Sequence, residues 1–329
     1  MNIEEVKFLI IRFSSIGDIV LTTPIIRGLK QQVKNSTVHY LTKPEYAPIL
    51  SANPYIDKLH TLKSFGESIK ELREEQFDYI IDLHKNLRTY RFKNKLRVLD
   101  FSFQKLNREK WLLVNFKINK LPEKHIVDRY YSTVHLFNVK KDNLGLDYFI
   151  PNEDKVNISE ISTKLDKGFI AIGIGGHHNT KKLTAEKIVE LCKKIRYPVV
   201  LLGGNEDIET GKFIKENCPK VHNLCGKYNI NRSASIVEQS KLVITHDTGI
   251  MHIAAAFKKD IISIWGNTVT DFGMYPYQPG NNSQIFEVGG LSCRPCSKLG
   301  YKKCPKKHFK CMEDQDIDKI ASAVKDILK

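Results

Sequence analysis

A chain of 329 residues with 41% hydrophobic and 27% charged side chains has the balance of a globular protein, and it is long enough for two cores of about 150 residues each. No apolar run reaches the roughly 20 residues of a membrane span, and the opening residues lack a basic region followed by an apolar one, so neither anchor nor signal peptide is expected and the chain is placed in the cytoplasm. The formal net charge of +15 implies an acidic partner; it is concentrated in residues 85–124, which hold twelve Lys/Arg against three Asp/Glu.

Residues 7–13 form an apolar run suited to a first strand. A tight loop over 14–18 follows, then a helix over 19–32 in which Pro24 is tolerated only near the first turn. Strands are predicted over 37–41 and 58–62, the second after a stretch punctuated by Pro44, Pro48 and Pro54. A helix over 65–75 and a strand over 77–83 come next. This alternation predicts a parallel, doubly wound sheet. Residues 84–124 look less regular, their basic residues interleaved with Tyr90, Phe92, Phe101, Phe103, Trp111 and Phe116. A helix is predicted over 128–137, and the polar stretch 144–167, with Pro151, closes the first domain and leads to the next.

The pattern restarts with a strand over 168–174, a loop over 175–182 and a helix capped by Thr184. A strand over 198–202, a loop over 203–207 and a helix ending near Asn217 follow. A helix over 233–240, a strand from Leu242, a helix over 250–257 and a strand over 261–265 complete the run. Ile317, Ile320, Val324 and Leu328 are spaced for one face of a terminal helix. Two successive halves of this kind predict an α/β chain of two Rossmann-like domains, 1–155 and 165–313, with 314–329 as a C-terminal helix. Ligands of such sheets sit at the C-terminal ends of the strands, so the expected site is an interdomain cleft.

Two stretches carry chemistry. In the first, Leu242, Val243 and Ile244 suit a strand covered on both faces. His246, Asp247, Thr248 and Gly249 form a turn where Asp or Thr suits a helix N-cap, and three successive alanines pack the following helix closely on the sheet. Such a turn presents backbone N–H groups at the positive end of the helix dipole, which suits a phosphate. Asp247 would repel that phosphate and should face hydroxyls. Phosphate and hydroxyls together describe a nucleotide sugar. The run Asp247-Thr248-Gly249-Ile250-Met251-His252-Ile253-Ala254-Ala255 resembles the D-T-G-x-x-H-x-x-A signature of the ADP-heptose:lipopolysaccharide heptosyltransferases, inverting glycosyltransferases of family 9 with the two-domain GT-B fold. The second stretch, Phe13-Ser14-Ser15-Ile16-Gly17-Asp18, resembles the S-S-x-G-D loop at the end of that family's first strand. Together the two matches span most of the chain.

The resemblance implies that Asp18 is the general base that deprotonates the acceptor hydroxyl. Inverting glycosyl transfer needs one base on the face opposite the leaving nucleotide. The alternative role for Asp18 is a helix cap, for which Asp is a favoured residue. Gly17 would let the backbone approach the acceptor, and Ser14 and Ser15 would hydrogen-bond it. Lys85, Arg88 and Arg91, from the basic segment, would meet its phosphates. Lys181-Lys182-Leu183-Thr184 is similar to the family's K-x-W-P segment, with Leu183 and Thr184 in place of Trp-Pro. By that likeness Lys181, or Lys182 in a shifted register, contacts the donor phosphate, where a cation replaces a metal ion in stabilising the departing diphosphate. Just before it, Gly176 brings backbone N–H groups to the phosphates and His177 is a further contact. Glu206 falls near the family position that binds the ribose, and Tyr228 near the adenine. Thr248, Gly249 and His252 complete the donor set.

Seven cysteines remain. Cys192, Cys218 and Cys225 are scattered and are expected to be reduced thiols. Cys293, Cys296, Cys304 and Cys311 cluster, and the C-x-x-C pair gives them zinc-ligand character; His308 is a substitute ligand, and two disulfides or free thiols are the alternatives. In each case the cluster staples a loop. The resulting expectation is an inverting glycosyltransferase that needs no cofactor for catalysis and carries a structural zinc at most. Its partners would be ADP-heptose or a related nucleotide sugar, a phosphorylated lipopolysaccharide precursor and the anionic inner face of the cytoplasmic membrane, with no nucleic acid. The rival readings are a GT-B enzyme using another nucleotide sugar, and a non-catalytic basic protein that binds nucleic acid beside a zinc site.

Overall fold

The computed structural model describes residues 5–329. The chain divides into two compact units. One takes in the chain up to Lys105 together with Lys124–Pro151, and the other comprises Leu106–Glu123 and Asn152–Lys329.

The first unit is built on a five-stranded sheet of order β3-β2-β1-β4-β5, with β1 Val6–Ile11, β2 Ser36–Thr42, β3 Lys58–Thr61, β4 Tyr79–Asp82 and β5 Leu99–Ser102. Every pairing is parallel. A parallel sheet is covered on both faces, which is why β1 ends in four consecutive buried apolar residues. The expected helix over 19–32 is two helices, Ile16–Val20 and Thr23–Gln32. Pro24 lies in the first turn of the second, where its missing N–H costs nothing. The stretch 84–124, expected to be less regular, is ordered: it holds the helix Leu87–Leu96, strand β5 and the helix Asn107–Phe116. The helix expected over 128–137 is an α-helix over Ile126–Tyr131 and a separate 3-10 turn over His135–Phe137.

The second unit carries a six-stranded parallel sheet of order β11-β10-β9-β6-β7-β8. Its strands are β6 Ile170–Gly173, β7 Val199–Leu202, β8 Val221–Asn223, β9 Leu242–His246, β10 Ile261–Trp265 and β11 Gln284–Glu287. Strands β6, β7, β9 and β10 are wholly buried, matching their apolar, β-branched sequences. Helices Ala185–Lys194 and Ile317–Ile327 cover one face, where Ile188, Leu191, Ile320 and Val324 join one apolar core. The helix Asn107–Phe116 belongs to this unit: Lys117 donates to the carbonyls of Cys293 and Pro295, and Asn119 donates to Asp271. The basic segment 85–124 is therefore shared between the units.

One charged group is buried deep in the first unit. Arg27 is only 1% exposed, and its guanidinium donates to Asp142, Asp147 and the carbonyl of Gly145. Burial raises the Asp142 carboxyl, but the Arg27 bonds outweigh it and hold it below its ordinary range. Removing the cation strands two partly buried carboxylates, so Arg27→Met should cost about 3 kcal/mol in a urea titration. A depressed carboxyl stabilises the fold above its unfolded pKa, and that stability is lost as pH falls through the folded value. The wild-type protein should therefore lose stability below about pH 4 more steeply than Arg27→Met, and equal slopes would contradict the assignment.

Candidate functional site

The loop after β1 is organised by Arg12. Its guanidinium donates to the carbonyls of Ser14 (2.7 Å) and Leu83 (2.6 Å) and pairs with Asp18 Oδ1 at 2.7 Å. Asp18 Oδ2 accepts from the backbone N–H (3.1 Å) and hydroxyl (2.8 Å) of Ser15. Asp18 is thus the third residue of the helix Ile16–Val20 and caps its start, as the structural alternative expected, while its other oxygen faces a fixed cation. Arg12 is buried; burial works against its charge, but Asp18 leads the groups that outweigh it and raise its pKa. Burial, and then Arg12, lower His84 to about 4, so its imidazole is neutral at physiological pH.

A cavity of about 750 Å³ opens beside this loop. Phe13, Ser14, His84, Asn86, Phe65 and Phe92 line it together with the cationic Lys43, Lys63, Arg88 and Arg91. Asn86 caps the helix Leu87–Leu96, accepting from the Thr89 N–H at 2.9 Å, and this sets Arg88 and Arg91 on the first two turns. The Arg88 guanidinium lies 5.7 Å from the centre of the Phe13 ring. Of the expected acceptor residues, Ser14, Arg88 and Arg91 line this cavity. Ser15 is occupied with Asp18, and Gly17 is buried in the helix. Lys85 is exposed outside the lining, its N–H held by the buried carboxylate of Asp82.

In the second unit the loops after β6, β7, β8 and β9 share the C-terminal end of the sheet. Lys181 Nζ meets Asp247 Oδ2 at 2.6 Å, and the Thr268 hydroxyl donates to the same oxygen at 2.8 Å. Asp247 is therefore held by a lysine and a hydroxyl of its own chain. Lys182 pairs instead with Asp207, 3.0 Å away and 1% exposed, whose other oxygen accepts the Gly204 N–H. A Cβ on Gly175 would fall 2.6 Å from that oxygen, and one on Gly176 would fall 3.0 Å from Thr248 Cγ2. Both glycines thus lie close to these neighbouring side chains, which a larger residue would have to displace.

Thr248 is the N-cap residue of the helix Gly249–Ala256 but makes no side-chain cap bond; its hydroxyl meets that of Thr245 at 3.3 Å. His246 belongs to β9 and not to the turn. Its Nε2 accepts the Leu183 N–H at 3.0 Å, and burial, then Lys182, push it down to about 3. Leu183 is buried and Thr184 caps the next helix, which accounts for their presence where Trp-Pro was the pattern. His177 is exposed, edge-on to His178. Glu206 is exposed in the 3-10 turn Asn205–Asp207, Tyr228 lies under Arg232, and His252 is buried. The Gly226 N–H bonds the Gly203 carbonyl, so the turn leading to Tyr228 abuts the Glu206 loop. Arg12, Asp207 and Thr268 escaped the sequence reading. Asp207 alone had a signal, the acidic pair after Gly203-Gly204.

All four clustered cysteines are free thiols, with Cys293 Sγ 3.8 Å from His308 Nε2. Burial pushes Cys296 up to about 12 and Cys311 up to about 11. The donor set is that of a zinc site, but among the described residues no three of these sulfurs converge to within 4.8 Å of one another.

Residues 66–307 match the family model "Glycosyltransferase family 9 (heptosyltransferase)". Lipopolysaccharide heptosyltransferase 1 of Campylobacter coli is 26% identical over 295 residues, covering 80% of this chain and 84% of the relative. Lipopolysaccharide heptosyltransferase 3 of Escherichia coli is 25% identical over 285 residues, covering 77% and 80%. The solved structure of E. coli ADP-heptose lps heptosyltransferase II matches with a TM-score of 0.73 at 18% identity over 98% of both chains. That likeness bears out the expected α/β, GT-B fold.

The lysine pairings separate two adjacent side chains by their consequences for stability. Lys182→Met leaves the Asp207 carboxylate buried beside one N–H and should cost about 3 kcal/mol in a urea titration. Lys182→Met/Asp207→Asn should recover most of that loss. A single variant as stable as the wild type would show that the pair is not formed.

Proposed function

Given that the chain belongs to glycosyltransferase family 9, the heptosyltransferases, we propose that it transfers heptose from ADP-L-glycero-D-manno-heptose to a hydroxyl of the lipopolysaccharide inner core, with inversion and with Asp18 as the base. The observation that carries this reading is the first unit's cation-lined cavity beside the Asp18 loop. Its four cations suit the phosphates of a phosphorylated glycolipid, and its phenylalanines suit the apolar faces of sugar rings.

In the second unit, the loops after β6, β7 and β9 receive the donor. Lys181 and Lys182 offset the diphosphate charge, Gly176 allows its close approach, and His177 is a further contact. The N-terminus of the helix Gly249–Ala256, with Thr248 and Gly249 ahead of the buried His252, adds backbone N–H groups. Asp247 takes sugar hydroxyls when Lys181 turns to the phosphate; Glu206 takes the ribose and Tyr228 flanks the adenine. The acceptor oxygen attacks the anomeric carbon, and its proton passes to Asp18. The bond from that carbon to the diphosphate oxygen breaks, and the electron pair leaves on the nucleotide, where the lysines neutralise it.

No cofactor enters this step. The four cysteines staple their loop, as a structural zinc site once their side chains rotate inward. The chain works in the cytoplasm, at the inner face of the membrane. Support for that contact comes from Leu87, Tyr90, Trp111 and Phe116, all exposed among the basic residues of 85–124.

Asp18→Asn keeps a cap acceptor for Ser15 but removes the charge. It should lower kcat by about a thousandfold or more while donor affinity, measured by calorimetry, stays unchanged. In the wild-type protein, ADP should raise the melting temperature more than UDP, GDP or NAD. Retained turnover in Asp18→Asn would remove the base assignment, and preference for another nucleotide would change the donor.

A further inference from the structure

On the far edge of the first sheet, two histidines and two glutamates meet away from the Asp18 loop. In the parallel register His39 of β2 faces Lys58 of β3, and Leu41 faces His60. Residues two apart share a face, so His39 and His60 are diagonal neighbours on one side of the sheet. Both are buried, at 5% and 2% exposure, with the Phe77 ring against them. The helix Phe65–Glu74 lies over the same face. Glu71 and its C-cap residue Glu75, one turn apart, reach down to the pair.

We propose that His39 Nδ1, His60 Nε2 and a Glu75 carboxylate oxygen form a binding site for a zinc-class divalent cation. The three ligand atoms lie within 4.8 Å of one another, and among the described residues no other such group is found. His39 Nδ1 is 3.1 Å from His60 Nε2 and 3.8 Å from Glu75 Oε2. Two ligands at about 2.1 Å from a tetrahedral zinc stand about 3.4 Å apart, so both separations need only tenths of an ångström to fit. His60 Nδ1 is 3.0 Å from Glu71 Oε1. That carboxylate accepts a hydrogen bond from the Nδ1–H and so aims the Nε2 lone pair at the site, which is how carboxylates outside the coordination sphere orient histidine ligands. Binding moves the His39 proton from Nδ1 to Nε2. Two imidazoles and one carboxylate suit zinc better than magnesium or calcium, which prefer oxygen. Glu75 is now paired with the exposed Lys58, and Glu71 with the exposed Lys63 at 3.0 Å. Both lysines can swing into solvent as the ion enters from the Glu75 side.

The ion would tie β2, the short edge strand β3 and the following helix at one point. Leu62 and Lys63, between that strand and that helix, and Phe65, the first residue of the helix, line the 750 Å³ cavity. The site therefore stiffens one wall of the cavity without touching its contents, and it stands whether or not the glycosyl-transfer reading does.

The test uses the full chain, stripped with a chelator and titrated with Co(II) and with zinc. It is run in a Cys293→Ser/Cys296→Ser/Cys304→Ser background, which leaves the C-terminal cluster a single thiol, Cys311, too few to hold the ion there. The expected result is about one Co(II) per chain, with the visible spectrum of a four-coordinate nitrogen–oxygen site and no thiolate charge-transfer band. Zinc should raise the melting temperature. Both signals should vanish in His39→Gln/His60→Gln, with circular dichroism confirming that the variant is folded. If it is not, Glu71→Gln, which leaves the buried pair in place, should weaken Co(II) binding about tenfold or more. Absence of binding in the triple-serine background would overturn the proposal, as would binding unchanged by the histidine or Glu71 substitutions.

Discussion

A guanidinium that cannot give up its proton is buried where β1 ends, and the neighbouring chain is arranged to accommodate it. The Ser14 and Leu83 carbonyls take Arg12 N–H groups from two adjacent strand ends, and Asp18 supplies the opposing charge. An unpaired cation at that depth would cost several kcal/mol, so the carboxylate is drawn into one position and the Ser14–Asp18 loop is shaped around it. The same cation affects its neighbours. Burial first, and then Arg12, keep His84 uncharged at physiological pH. Tyr130 is pushed up to about 12, chiefly by burial, although Arg12 opposes the rise. Beside Asp18, His84 and Tyr130 are therefore both uncharged at physiological pH.

The second unit repeats this device with lysines. Lys181 and Lys182 are adjacent in sequence but turn to different carboxylates, Asp247 at the end of β9 and Asp207 after β7. Each pairing joins two loops at the C-terminal end of one sheet, and Thr268 after β10 joins a third to Asp247. The two pairs differ in burial. Asp207 is sealed in, with a Gly204 N–H on its other oxygen, while Asp247 is partly accessible. In the proposed mechanism this makes Lys181 the cation free to exchange a carboxylate for a diphosphate, while Lys182 stays with Asp207 and offsets the diphosphate charge from there.

What the sequence revealed and what it hid divide along the same physical line. Central strands are covered on both faces and must be apolar, so β1, β4, β6, β7, β9 and β10 stand out as apolar runs. The three strands that were not anticipated, β5, β8 and β11, all lie at sheet edges. Their sequences, Leu-Asp-Phe-Ser, Val-His-Asn and Gln-Ile-Phe-Glu, mix polar and apolar residues because one side meets solvent. The helix Leu87–Leu96 was hidden for the same reason, since only Thr89 and Phe92 of it are buried. In the site, Asp18 and Asp247 were legible because each sits in a compact turn with small neighbours. Arg12 and Thr268 act on residues distant in sequence or through a loop's own fold, and no spacing announces such a contact. The pairing of His39 with His60 is likewise a matter of strand register, visible only once β2 and β3 lie side by side.

The proposed account requires a single displacement at the anomeric carbon, with one carboxylate taking the acceptor's proton and no covalent sugar–enzyme intermediate. The anomeric configuration of the transferred sugar, read by nuclear magnetic resonance from its one-bond carbon–proton coupling, tests that requirement most directly. The account predicts a product of configuration opposite to the donor's. A product that keeps the donor's configuration would contradict it, because a single displacement from the face opposite the leaving group inverts the anomeric carbon.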